Sequence, residues 1–122
     1  MNYIRIYADP AGETHFEDVE VELSQVNFAP PAPPVNLSSF SPTSQYAFCS
    51  FPAGWRGAWH RTPKRQIFFA LSGEGAVQVG DGEVRHLRAG SVLLVEDTTG
   101  KGHVSRVTGK TDFLAAVVQL PD

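Results

Sequence analysis

"WHRTPKRQIFFALSGEG", residues 59–75, sets a histidine and a glutamine six positions apart, directly ahead of an apolar run that closes on Gly73-Glu74-Gly75. That run, QIFFALS at 66–72, is rich in Ile and Phe and is bounded by turn residues, which predicts a β-strand. Side chains alternate across a strand, so Gln66, Phe68 and Ala70 share one face and Ile67, Phe69 and Leu71 the other. Both faces are largely apolar, and SVLLVED at 91–97 and FLAAVVQL at 113–120 behave alike. A barrel strand in a lone chain would turn one polar face to water, so something is expected to cover the outside. The candidate covers are the N-terminal strands and a second copy of the chain, and both are expected, giving a homodimer.

Similar runs recur on either side: YIRIYA, FEDVEVEL, YAFCSF, GAVQVGD, EVRHL and HVSRV, mostly separated by Gly, Pro, Asp or Ser. Nowhere do apolar residues recur at helical spacing for ten residues. Asp81-Gly82 between two alternating segments signals a hairpin, and RAGS around Gly90 reads as the next tight turn. Many short strands with such turns predict an antiparallel sandwich or small barrel. Residues 24–44 break the pattern, with five of the nine prolines. Proline lacks a donor N–H and fixes φ, so this segment is expected to cross the surface as an extended arm. It would link an N-terminal β layer, residues 1–23, to a barrel formed by residues 45–122.

At 122 residues the chain suits one domain with one core. Its start has no basic stretch followed by an apolar run, and its longest apolar run, Phe113 to Val118, is too short to span a bilayer. A soluble, cytoplasmic protein with no membrane partner is expected. The single cysteine, Cys49, cannot form an internal disulfide and sits in an apolar run, which suits a small packed hydrophobe in a reducing compartment. Charge is uneven: residues 1–55 carry six acids against Arg5 alone, and residues 56–122 carry nine Lys and Arg against seven acids. Arg56, Arg61, Lys64 and Arg65 crowd around His60, either to attract an anion or, the preferred reading, to pair with the acidic N-terminal segment. No basic, aromatic-studded face appears, so no nucleic-acid partner is expected. "TTGKG" lacks the upstream glycine and following helix of a phosphate loop, and "GETHFED" lacks the spacing of a calcium loop.

The stretch from Gly57 to Val107 resembles the single-domain cupins, the double-stranded β-helix or jelly-roll family. The first family motif has two histidines separated by one residue, a glutamate four residues later, and an apolar strand ending in Gly-Glu-Gly. Against it, His60 matches the first histidine, Thr62 stands in place of the second, and Gln66 stands in place of the glutamate. The second motif runs from Pro-x-Gly-Asp to a histidine. "RAGSVLLVEDTTGKGHVSRV" matches with Arg88 for the proline, Gly90 for the glycine, Ser91 for the acid and His103 for the histidine. The resemblance implies an all-β, cupin-type antiparallel jelly-roll barrel, here with the N-terminal β layer and the Pro-rich arm.

In the family, three imidazoles and one carboxylate hold a divalent iron, manganese, nickel or zinc ion. This chain offers two imidazoles, a neutral amide and a hydroxyl, a set that lacks the charge anchoring a cation. A metal-free pocket is therefore expected, the alternative being an ion weakly held by His60, Gln66 and His103. The resemblance implies an interior formed by Ala58, Thr62, Phe68, Ala70, Ser105 and Val107, an apolar pocket with a few polar anchors for a small-molecule ligand or substrate. His60 and His103 are the candidate acid–base pair, with Gln66 orienting the substrate, for isomerase, cyclase or lyase chemistry. A metal-dependent dioxygenase or isomerase and a non-catalytic ligand-binding shell are the alternatives. His15 and His86 are read as structural or surface residues, and Trp55 and Trp59 as core or pocket-rim residues.

Overall fold

The structure, a computed structural model describing Met1–Asp122, contains eleven β-strands and no helix. A six-stranded sheet runs in the order β2 (Thr14–Glu20), β1 (Asn2–Ala8), β9 (Val92–Val95), β6 (Gln66–Ser72), β11 (Phe113–Gln119), β5 (Gln45–Phe51). Its pairs are antiparallel except β1 with β9, which is parallel. A smaller sheet runs β10 (His103–Val107), β7 (Glu74–Val79), β8 (Val84–Arg88). The β7–β8 hairpin turns at Asp81-Gly82, where Gly82 takes φ 96°, a conformation that costs a residue with a Cβ. Residues 55–60 add a further strand-like edge to the smaller sheet through isolated bridges from Arg56 to Arg106 and from His60 to His103.

Alternation along the strands builds two neighbouring cores between the sheets. Ile6, Val77, Val79, Leu93 and Val95 form one, and Ala70, Val107, Phe113 and Ala115 form the other. Phe68 and Leu87 pack against both, so the inward-facing half of QIFFALS spans the join. Cys49 packs against the second core, and burial pushes its thiol pKa up, which leaves it a poor nucleophile.

Two expectations are corrected. The N-terminal strands do not lie over the outer face of the large sheet: β1 pairs with β9 and β2 with β1, so they widen the sheet sideways. Phe69, Leu71 and Leu114 on that outer face stay 38%, 53% and 42% exposed. The Pro-rich arm, in turn, is more than an extended crossing. It folds back as a short antiparallel hairpin, β3 (Ser24–Val26) with β4 (Val35–Leu37), whose four prolines at 30, 31, 33 and 34 lie between the paired segments and need no ladder donor.

The charges also pair differently from the sequence expectation. Arg65 bonds Glu96 and Lys64 bonds Asp122, both outside the acidic N-terminal segment. The N-terminal acids are met by Arg85 at Asp18 and Lys101 at Glu13, and Arg5 reaches both Glu17 and Glu96. Burial opposes the charge of Glu96, but hydrogen bonds from Arg5 and Arg65 hold its carboxyl below the ordinary range. It thereby ties β1 and the start of β6 to the end of β9.

One polar cluster joins the first hairpin to the β7–β8 turn. His15 bonds Asp9 at 2.8 Å through Nε2 and Asp81 at 2.9 Å through Nδ1, with the Tyr7 ring beside it. The bonds to Asp9 and then Asp81 raise the His15 pKa above its ordinary value. His15 lowers that of Asp9, and Asp81 is lowered first by the Glu83 N–H and then by His15. A raised histidine pKa stabilises the fold fully below the unfolded value and loses that contribution as pH rises through the folded one. The lowered carboxyls contribute above their unfolded value and lose it as pH falls. Urea midpoints measured from about pH 5 to about pH 8 are therefore expected to fall on the alkaline side, and His15→Gln is expected to flatten that fall. An unchanged slope in the variant would assign the pH dependence elsewhere.

Candidate functional site

Between the two sheets lies a cavity of about 220 Å³. The large sheet supplies Phe51, Phe68, Ala70, Leu93, Val95 and Phe113, and the smaller sheet with its added edge supplies Trp55, His60, Leu87, His103, Ser105 and Val107. One end is aromatic: Trp55 meets Phe51 edge-on with centroids 4.9 Å apart, and Phe51 meets Phe113 at 6.2 Å. His60 and His103 hold the polar end.

The two histidines meet because of backbone register. His60 N–H donates to the His103 carbonyl at 3.0 Å, and His103 N–H donates back at 2.9 Å. Such a hydrogen-bonded antiparallel pair sends both side chains to one face, and here the rings stand 4.7 Å apart between centroids. Ser105 and Val107 follow His103 at a period of two, and Gly57 N–H and the Trp55 carbonyl continue the pairing along β10. The approach at the head of the strand is close. Gly102 takes φ 77°, and a Cβ there would come within 2.2 Å of the His60 carbonyl oxygen.

Each ring is oriented through Nδ1. In His60 it lies 2.8 Å from the Ala58 carbonyl, and in His103 it lies 2.6 Å from Asp97 Oδ2. A carbonyl and a carboxylate only accept, so Nδ1 carries the proton in both rings, and Nε2 is the nitrogen left without a protein partner. The surroundings differ: His60 is exposed at the mouth, whereas His103 is 6% exposed and Asp97 0%. Asp97 Oδ1 has no hydrogen-bond partner, and Asp97 itself does not line the cavity.

Three residues expected in the pocket do not line it. Ala58 is exposed and takes part through its carbonyl. Thr62 is buried, but its hydroxyl donates to the Lys64 carbonyl at 2.7 Å. Gln66 donates to the Thr62 hydroxyl at 3.3 Å and accepts from Gln119 Nε2 at 3.2 Å, and Gln119 in turn accepts from Gln45. Pro63 and Lys64 bend the chain between the His60 bridge and the start of β6, so strand parity does not carry from 60 to 66. Among the expected pocket residues, Phe68, Ala70, Ser105 and Val107 do line the cavity. Asp97 was not singled out from the sequence, where it is one acid at the end of an apolar strand. The available signal was an acid six residues ahead of a candidate histidine, within one loop.

These side chains do not fit the divalent ion that the cupin resemblance implies. No three His, Cys, Asp or Glu side chains converge in metal-holding geometry. The residues in place of the second imidazole and the carboxylate are neutral, and their polar atoms are engaged with Lys64 and Gln119. Two imidazoles remain, without the anionic ligand that balances a cation.

Replacing Gly102 with alanine tests the register that holds the pair. Gly102→Ala is expected to open the His60–His103 bridge, lowering unfolding stability by at least about 1–2 kcal/mol for the positive φ alone. Cross-relaxation between the two rings in NMR spectra should disappear with it. Unchanged stability with the ring contact intact would remove Gly102 from this role.

Residues 47–118 match the family model of the cupin domain. No curated protein matches the chain in sequence. Among solved structures, a Cupin 2 conserved barrel domain protein from Salinispora arenicola superposes with TM-score 0.52 at 16% identity, covering 83% of this chain and 76% of that one. A predicted oxalate decarboxylase from Thermotoga maritima gives TM-score 0.51 at 21% identity over 84% and 95%. The Schizosaccharomyces pombe Cnp3 cupin domain gives 0.53 at 12% identity over 99% and 83%. At these identities the structural likeness speaks for the fold, and the family model covers more than half of the chain: the protein belongs to the cupin domain family.

Proposed function

We propose that this cupin is a metal-independent acid–base catalyst, of isomerase, cyclase or lyase type, for a small and mostly apolar molecule. The observation that carries the proposal is the facing imidazole pair, both rings bonded through Nδ1 and both Nε2 atoms without a protein partner, at one end of an apolar cavity. Imidazole takes and returns protons near neutral pH, so one ring removes a proton from the bound molecule while the other delivers one elsewhere on it. Phe68, Ala70 and Val107 exclude water, and Ser105 offers a hydroxyl for orientation. A cavity of about 220 Å³ lies below the roughly 300–1,000 Å³ of sites for drug-sized ligands, which favours a smaller substrate.

The test uses a panel of small apolar acids, ketones and lactones, first ranked by the rise in Tm they produce. Bound compounds are then followed in deuterated water. The intact protein is expected to drive deuterium into the ligand, with His60→Gln and His103→Gln slowing exchange by about 10²–10⁴-fold while binding persists. Binding without exchange in the unmodified protein would reduce it to a ligand-binding shell.

We also propose that a second copy of the chain covers the outer face of the large sheet. Tyr46 and Phe48 on the edge strand β5 are each 73% exposed, beside Leu114, Phe69 and Leu71 on the same face. Contiguous apolar surface of this kind marks an interaction site. Light scattering should return twice the 13.3 kDa chain mass, and Phe48→Asp should return one chain mass. A monomer in the unmodified protein would overturn this.

A further inference from the structure

We propose that Asp97 is the positioning residue that makes the two histidines unequal, so that His103 takes the proton and His60 gives it. The proposal rests on reading the pair as an acid–base couple. Its ground is the difference in what holds each ring. His60 Nδ1 faces a neutral carbonyl in an exposed segment, and His103 Nδ1 faces a carboxylate with no exposure at all. The backbone pins that carboxylate, since the Thr62 N–H donates to the Asp97 carbonyl at 3.2 Å.

The energetics follow from burial. A carboxylate removed from water is costly unless a cation or several donors answer it. Asp97 has one donor, His103 Nδ1 at 2.6 Å on Oδ2, and none on Oδ1. When His103 Nε2 takes a proton, the resulting imidazolium stands against this under-satisfied carboxylate, and the pair becomes an internal ion pair. No carboxylate bonds His60. Proton balance is then complete without any other reagent. His103 Nε2 removes a proton from the substrate, protonated His60 donates its Nε2 proton to a second substrate atom, and after product leaves the proton passes from His103 Nε2 back to the facing His60 Nε2 through solvent at the mouth, which restores both rings. Asp97 stays out of the cavity and acts only through His103.

The experiment reads histidine tautomers in the intact, 15N-labelled chain by long-range proton–nitrogen correlation. In the unmodified protein, His103 is expected to carry Nδ1–H, with that proton shifted downfield by its carboxylate partner. Asp97→Asn is expected to abolish the downfield signal and shift His103 toward the Nε2–H form, because an asparagine amide can donate to Nδ1, while His60 keeps Nδ1–H. In the deuterium-exchange assay the same variant should slow exchange by about 10²–10⁴-fold. A purely structural Asp97 would lower stability without moving the tautomer or the exchange rate. Nε2–H at His103 in the unmodified protein, or a tautomer unchanged in Asp97→Asn, would overturn the proposal. Should the variant not fold, the unmodified spectrum alone decides. Absence of exchange with the Nδ1–H tautomer present would instead defeat the catalytic reading of the pair, so the two failures are separable.

Discussion

Two backbone hydrogen bonds, His60 N–H to the His103 carbonyl and His103 N–H to the His60 carbonyl, place the polar end of the cavity. The register of an added edge on β10 brings the imidazoles to one face. Around that pair the packing is close. Gly102 passes against the His60 carbonyl where no Cβ fits, and its own carbonyl accepts from the Thr14 hydroxyl at 2.7 Å. Thr14 is fully buried and also accepts from the Gly80 N–H at 2.6 Å. The first hairpin, the β7–β8 turn and the mouth of the cavity are thus joined through one hydroxyl.

Much of this was legible in the residues. QIFFALS and HVSRV became β6 and β10 with the expected bounds, because compact apolar runs between turn residues leave a strand few alternative limits. Phe68 and Ala70, and Ser105 and Val107, line the cavity because the period of two holds within an unbroken strand. Thr62 and Gln66 do not follow: Thr62 lies outside any strand, and Gln66, though it shares the Phe68 face, is the first residue of β6 and bonds Thr62 and Gln119 beyond the cavity. Asp97 was invisible for a different reason. It sits in an irregular loop, and only the folded position of that loop brings its carboxylate under His103. The outer face of the large sheet was legible as apolar, but not that the N-terminal strands extend it sideways, because edge pairing depends on long-range register that no local pattern encodes.

Cupin folds host many chemistries, and the fold alone does not choose among them. What the structure shows in this chain is a difference between the surroundings of its two imidazoles. They share a face, a hydrogen-bonding nitrogen and a cavity, but one opens to solvent and the other backs onto a buried acid. The same ring thus stands in two different electrostatic settings within one cavity.

The amides of Gln45, Gln119 and Gln66 run from β5 across β11 to β6 and end on Thr62, bridging the strand ends where related folds anchor an ion. Such a chain of neutral donors and acceptors is a cross-link that needs no cofactor supply and carries no charge to be screened. It also resists alteration by single substitutions. A carboxylate at position 66 would give up the amide's donor to Thr62, and an imidazole at position 62 would remove the hydroxyl bonded to Lys64, each before any metal arrived to compensate. Each polar group in this chain therefore depends on its neighbour for a partner.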